Sequence, residues 1–156
     1  MDSFFDWLQN TGISVWIAES DSIWGFPFIL FAHSLGMGLS AGSAFVVGLR
    51  LLGIGRPIPV SSFQMFFKIF WIGFVLNLAS GTLLFVAHAT STGHVPMYYA
   101  KLLFILFGVL VSIPIRRFID HDGDRSVPAR IKVMAGVSVA LWLAVITTGR
   151  LIAYVS

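Results

Sequence analysis

Two histidines and two long cations stand inside stretches of sequence that otherwise offer little polar chemistry. His33 lies in FILFAHSLGMGLSAGSAFVVGLRLL, His88 ends WIGFVLNLASGTLLFVAH, Lys101 opens KLLFILFGVLVSIPI and Arg150 closes VSVALWLAVITTGR. Imidazole nitrogen ligates iron or copper, and ammonium and guanidinium groups pair with carboxylates. Ionisable groups in long apolar runs are costly, so they tend to face the protein interior and serve a site.

Helical spacing sharpens the pattern, because residues three, four and seven apart share one side of a helix. His33 shares its side with Gly36, Met37 and Ser40, while His88 shares its side with Phe85, Leu84 and Gly81, with Ser80 beside them. Each imidazole therefore stands over a strip of nearly bare backbone. Such a strip admits a flat porphyrin with an imidazole nitrogen on its iron. It equally admits another helix, and Gly38 and Gly42 form the GxxxG spacing that helix contacts use. The residues leave both readings open. Each polar group also has a plain role: His33 bonded to a serine or a carbonyl across a helix contact, His88 reaching the headgroups, Lys101 and Arg150 extended to the membrane surface. His94 and His121 read as loop residues and are assigned no chemistry.

The elements that must position these groups follow from composition. Of 156 residues, 57% are hydrophobic and only 11% charged, and the mean hydropathy is +0.89. A soluble domain carries about a quarter of its residues as charges. A soluble enzyme is thereby excluded. The absence of cysteine removes disulfide frameworks, thiolate metal sites and covalently attached haem. A net charge of +3 spread between apolar runs is too little for a nucleic-acid groove, so no nucleic acid partner is expected.

Spanning a bilayer takes about 20 apolar residues, and four segments qualify, at about 24–52, 65–92, 96–118 and 131–155. The fold class is all-α: an integral membrane four-helix bundle formed by one domain over 1–156. The stretch of about 3–19 interleaves Phe4, Phe5, Trp7 and Trp16 with Asp6, Gln9 and Asn10, which predicts an amphipathic helix at the interface rather than a cleaved signal. Arg50, Arg56 and Lys68 lie in the first link, and Arg116, Arg117, Arg125, Arg130 and Lys132 in the third. Basic loops stay cytoplasmic, so both termini are expected in the periplasm and the chain in a bacterial inner membrane, multi-pass. That topology gathers His33, His88, Lys101 and Arg150 in the periplasmic half. The run Asp120, His121, Asp122 and Asp124 reads as a solvated turn beside arginines.

The segments FAHSLGMGLSAGSAFVVGLRLLG, SGTLLFVAHA and YYAKLLFILFGVLVSIPIRR resemble a group of short, uncharacterised bacterial membrane proteins with four helices. That group is similar in layout to the membrane protoporphyrinogen oxidases of the HemJ type and to CopD-type copper-resistance membrane proteins. In the HemJ type a first-helix histidine and a lysine opening the third helix bind haem b. The resemblance carries those roles to His33 and Lys101. His88 has no counterpart there, which leaves the second axial ligand open between His88 and Lys101. The porphyrinogen-oxidising activity is not carried over, because the residues flanking the histidine differ.

The expectation is a haem b protein, a b-type cytochrome passing single electrons near the periplasmic side of the membrane. His33 would be one axial ligand and His88 or Lys101 the other. Arg150, and Lys101 when not on iron, would pair with propionates, and Gly36, Ser40 and Gly81 would make room for the macrocycle. Its partner would be a membrane quinone, a periplasmic redox protein or a reactive oxygen species. Two alternatives stand beside it: a tetrapyrrole-modifying enzyme of the protoporphyrinogen oxidase type, a haem-dependent oxidoreductase, and a copper-binding or transport module using His33, Met37 and His88. Small residues at Gly38, Ser40, Gly42, Gly136 and Ser138 would permit a homo-oligomer.

Overall fold

The computed structural model describes residues 2–55, 57–122 and 125–155. Arg56, Gly123 and Asp124, which the sequence places in the basic links, lie outside the described residues. Every regular element described is helical. The order is α1 (Asp2–Gln9), α2 (Gly12–Glu19), α3 (Phe26–Leu52), a 3₁₀ turn (Val60–Phe63), α4 (Gln64–Ala87), α5 (Ala89–Thr92), α6 (Pro96–Asp122) and α7 (Ala129–Val155). Among the described residues, four helices, α3, α4 with its leading turn, α6 and α7, are long and apolar enough to cross a membrane. Large apolar side chains such as Phe31, Ile72, Leu103 and Leu143 stay exposed along them, as surfaces facing lipid do.

Helix boundaries follow local chemistry. Pro27 occupies the first turn of α3, where its missing N–H costs nothing. Gly53 ends that helix at φ 110°, and the N–H groups of Gly53 and Ile54 return to the carbonyls of Arg50 and Leu49. A side chain would resist that left-handed conformation. Pro96 opens α6 and Pro128 immediately precedes α7.

The interfacial helix expected over about 3–19 is instead two helices. The Asp6 carbonyl keeps the Asn10 N–H and also accepts Asn10 Nδ2 at 2.7 Å, but the Leu8 carbonyl, which Gly12 N–H would use in a continuing helix, accepts Thr11 Oγ1 at 2.9 Å and the Thr11 N–H at 3.3 Å instead. The segment expected over about 65–92 is likewise divided, because His88 leaves helical geometry at φ −129° and ψ 35° between α4 and α5.

Helix α3 packs along α4 on one side and α7 on the other, and α6 packs on α7, whereas α4 and α6 scarcely meet. The α3–α4 contact is built on backbone. A Cβ on Gly36 would sit 2.6 Å from the Asn77 nitrogen, and one on Gly73 would sit 2.7 Å from the Ser40 nitrogen. Where α6 crosses α7, Gly108 faces the buried Trp142 indole, with 3.3 Å between its Cβ position and Nε1. At the basic end, which carries Lys68, Arg116, Arg117, Arg130 and Lys132, residues from all four long helices close on one another: Leu51, Phe67, Ile119 and Ala135 with their neighbours. Toward the opposite end, where α1, α2 and the last turns of α7 lie, α4 and α6 separate.

Candidate functional site

The separation of α4 from α6 leaves a pocket of about 440 Å³. Its floor comes from Phe26, Leu30 and His33 of α3 and Gly149 and Ile152 of α7; its walls are α4 from Asn77 to Phe85 and α6 from Tyr98 to Ile105, with His88 and Thr92 at the rim. Pockets of about 300–1,000 Å³ hold compact organic ligands. Among the described residues no carboxylate lines it, and the ionisable groups that do are His33, His88, Lys101 and Tyr98. The site is thus neutral to cationic, with apolar walls.

His33 is the most firmly held of these groups. Its Nδ1 lies 3.2 Å from the Asn77 carbonyl oxygen and 3.3 Å from Ser80 Oγ, while Asn77 Nδ2 donates to the His33 carbonyl at 2.8 Å. A carbonyl only accepts, so Nδ1 carries the proton, and in the neutral ring Nε2 is then the nitrogen with the lone pair. This is how proteins orient an imidazole that is to ligate a metal. Gly81 makes the arrangement possible, because a Cβ there would lie 2.9 Å from His33 Cε1.

His88 lies at the break after α4, exposed at the rim, with its Nδ1 3.4 Å from the Leu84 carbonyl and its ring 5.5 Å from that of Phe26. Lys101 comes from the facing wall and runs its stem across Gly149, whose Cβ position is 3.4 Å from Nζ and 3.5 Å from Cε. Among the described residues, no carboxylate pairs with that ammonium.

The remaining expected site residues are elsewhere. Gly36 and Ser40 are buried in the α3–α4 contact, and Ser40 Oγ donates to the Gly36 carbonyl at 2.9 Å. The close-packing role, not the room for a macrocycle, is the one these two fill. Arg150 is exposed outside the pocket lining, with its guanidinium carbon 5.5 Å from the Tyr154 ring centroid. Met37, the soft ligand of the copper alternative, does not line the pocket either. Asp120 bonds to Arg116 at 3.4 Å within its own helix, and among the described residues no three His, Cys, Asp or Glu side chains converge as a metal cluster.

Sequence reasoning missed the support for the rim. Interrupting a helix at His88 frees carbonyls on one side and N–H groups on the other. Ser14 Oγ donates to the Val86 carbonyl at 3.0 Å, and Gln9 Oε1 accepts from the Thr90 N–H at 2.9 Å and from the Thr90 hydroxyl. Phe5 packs edge-on against Phe85 and His94 and lies over Gly93, where a Cβ would be 2.8 Å from its Cε2. The two N-terminal helices thus act as a bracket around the break, each bond contributing about 1 kcal/mol. Asn77, which orients His33, was also missed as a site residue. Its position four residues before Gly81 on the same helix face was the available signal.

Fold and pocket together define a multi-pass helical membrane protein with a ligand-sized pocket, apolar-walled and bearing imidazole and ammonium groups, toward one end of its long helices. The chain belongs to the family of unknown function DUF6644, whose model matches residues 4–155. No curated protein and no solved structure matches it.

Proposed function

We propose that this protein is a b-type cytochrome of the bacterial inner membrane, holding haem b in the pocket between α4 and α6 and passing electrons on the periplasmic side. The carrying observation is the His33 imidazole: Nδ1 is committed to the Asn77 carbonyl, so Nε2 is the nitrogen left to bind iron from the pocket. The residues present fit the group. Gly81 clears space at the ring, the walls are apolar, and the Lys101 ammonium in the lining suits the propionates. The similarity in layout to HemJ-type proteins, carried by His33 and Lys101, points the same way.

His33 would be one axial ligand. Lys101 stands on α6, across the pocket from α4, whereas His88 follows α4 seven residues after Gly81, about 10 Å farther along the axis at 1.5 Å per residue. Placement therefore favours Lys101 as the second ligand and His88 as a rim residue. Bound haem would supply a reversible one-electron centre. The chain's own part is to fix the His33 tautomer, exclude bulk water with its apolar walls and offer cationic partners to anionic groups. With the four long helices in a bilayer the gap between α4 and α6 would open sideways to lipid, which would suit a membrane quinone as redox partner. A tetrapyrrole-modifying activity of the protoporphyrinogen oxidase type would use the same opening for its substrate.

In this reading the basic end faces the cytoplasm and both termini the periplasm, in accord with the lysine and arginine distribution. Absorption spectra of the purified protein before and after dithionite test the proposal. A Soret band with sharp reduced α and β bands is expected, lost in His33→Ala; a colourless wild-type protein overturns it.

A further inference from the structure

A second, smaller site lies nearer the basic end and is independent of the haem reading. Ser43 of α3, Ser112 of α6 and Ser138 of α7 line a small, partly open pocket with room for about 20 Å³ of water-sized contents, together with Val47, Phe67 and Phe70. Each serine stands nine or ten residues from the basic end of its helix, about 14 Å at 1.5 Å per residue, so three chain directions converge at one depth. All three are at least nine-tenths buried, with exposures of 5%, 6% and 4%.

What sets this cluster apart is its hydrogen bonding. Serine and threonine in apolar helices ordinarily return their proton to a carbonyl one turn back. Ser34, Ser40, Ser80, Thr82, Thr147 and Thr148 do so, to Leu30, Gly36, Leu76, Leu78, Leu143 and Ala144. Ser112 donates to the Val109 carbonyl at 2.7 Å, which leaves its oxygen free to accept. Among the described residues, the Ser43 and Ser138 hydroxyls make no hydrogen bond, and unlike the sealed indole nitrogens of Trp71 and Trp142 their oxygens are not shut off from the pocket that both residues line. An unpaired hydroxyl in an apolar interior costs about 1–3 kcal/mol.

We infer that the void holds one ordered water that joins α3, α6 and α7. Its volume exceeds the roughly 10–15 Å³ that a single water needs, and three hydroxyls supply partners within the usual range of two to four. Ser43 and Ser138 donate to the water oxygen, and the water donates to Ser112 Oγ. A cation is disfavoured at this place, because three neutral hydroxyls, with no carboxylate in the lining among the described residues, would leave its charge uncompensated.

Two measurements on the full-length protein decide the matter. An experimental structure that resolves bound waters should show one peak within hydrogen-bond reach of Ser43, Ser112 and Ser138 Oγ. An empty void, or an anomalous peak there after rubidium soaking, overturns the inference. In detergent, Ser43→Ala and Ser138→Ala should each lower the unfolding midpoint by about 2–4 °C, and the double variant should fall short of their sum, because either change already releases the shared water. Ser34→Ala, whose hydroxyl serves its own helix on an exposed face, is the control and should shift little. Additive losses, or a midpoint unchanged or raised by alanine at Ser43 and Ser138, would mean a dry void and refute the water node.

Discussion

The imidazole of His33 occupies the space that a side chain at residue 81 would need: a Cβ on Gly81 would come within 2.9 Å of Cε1 and 3.3 Å of Nδ1. Glycine here is the complement of a ring on the neighbouring helix. Gly81→Ala should therefore push the imidazole from its bond to Asn77 and, where the proposed haem occupies the pocket, lower its content, read as Soret absorbance per protein, severalfold. Gly38→Ala, whose added methyl meets nothing within 4 Å, should leave haem content unchanged.

Gly36 and Gly73 predict a different loss. The added methyls would strike the Asn77 nitrogen at 2.6 Å, and the Ser40 nitrogen at 2.7 Å together with Leu39 Cβ at 2.6 Å, atoms fixed by the backbone that cannot move aside as a side-chain tip can. Alanine at either position should separate α3 from α4 and cost about 2–3 kcal/mol, at the upper part of the range for overpacked cores. The expected readout is an unfolding midpoint lowered by several degrees together with poor recovery from the membrane.

The bracket from the N-terminal helices should be visible without any cofactor. The chain has no cysteine, so Thr92→Cys places a single thiol at the pocket rim. Adding Gln9→Ala and Ser14→Ala removes the bonds to Thr90 and Val86. Maleimide labelling of that thiol should speed up severalfold. An unchanged rate would show that the break at His88 holds without its bracket.

Lys101 and Arg150 should part company. Lys101→Met alters the pocket wall and should change the reduced spectrum, with a different ligand field when the lysine binds iron and weaker haem retention when it pairs with a propionate. Arg150→Ala removes a group that lies against Tyr154 outside the pocket, so spectrum and haem content should match wild type. His88→Ala, at the exposed rim, should keep the spectrum of six-coordinate haem if Lys101 is the second ligand.

Membrane orientation is a separate test. Single cysteines at Ser22, before α3, and at Ser126, between α6 and α7, lie on opposite sides of the span arrangement. An impermeant thiol reagent applied to spheroplasts should label the Ser22→Cys protein and reach Ser126→Cys only after lysis. The reverse pattern would place the basic end outside.

The sequence by itself determined that four helices are long and apolar enough to span a membrane, because apolar run length is a local property that transfer free energy reads directly. It also singled out His33, Gly81 and Lys101, since an ionisable group or a bare backbone strip stands out against aliphatic neighbours. Which small residues face a pocket and which face a helix it could not determine: Gly36 and Gly81 both share a helix face with a histidine, yet one is closed by Asn77 and the other by an imidazole. That choice depends on how far apart neighbouring helices come to rest. Tight closure of α3 on α4, and of all four long helices at the basic end, leaves α4 and α6 apart elsewhere. Likewise the break at His88 rests on acceptors and donors from Gln9 and Ser14, 81 and 72 residues distant from their partners, which no local window contains. Spacing along one helix records faces; only the packed helices decide what each face meets.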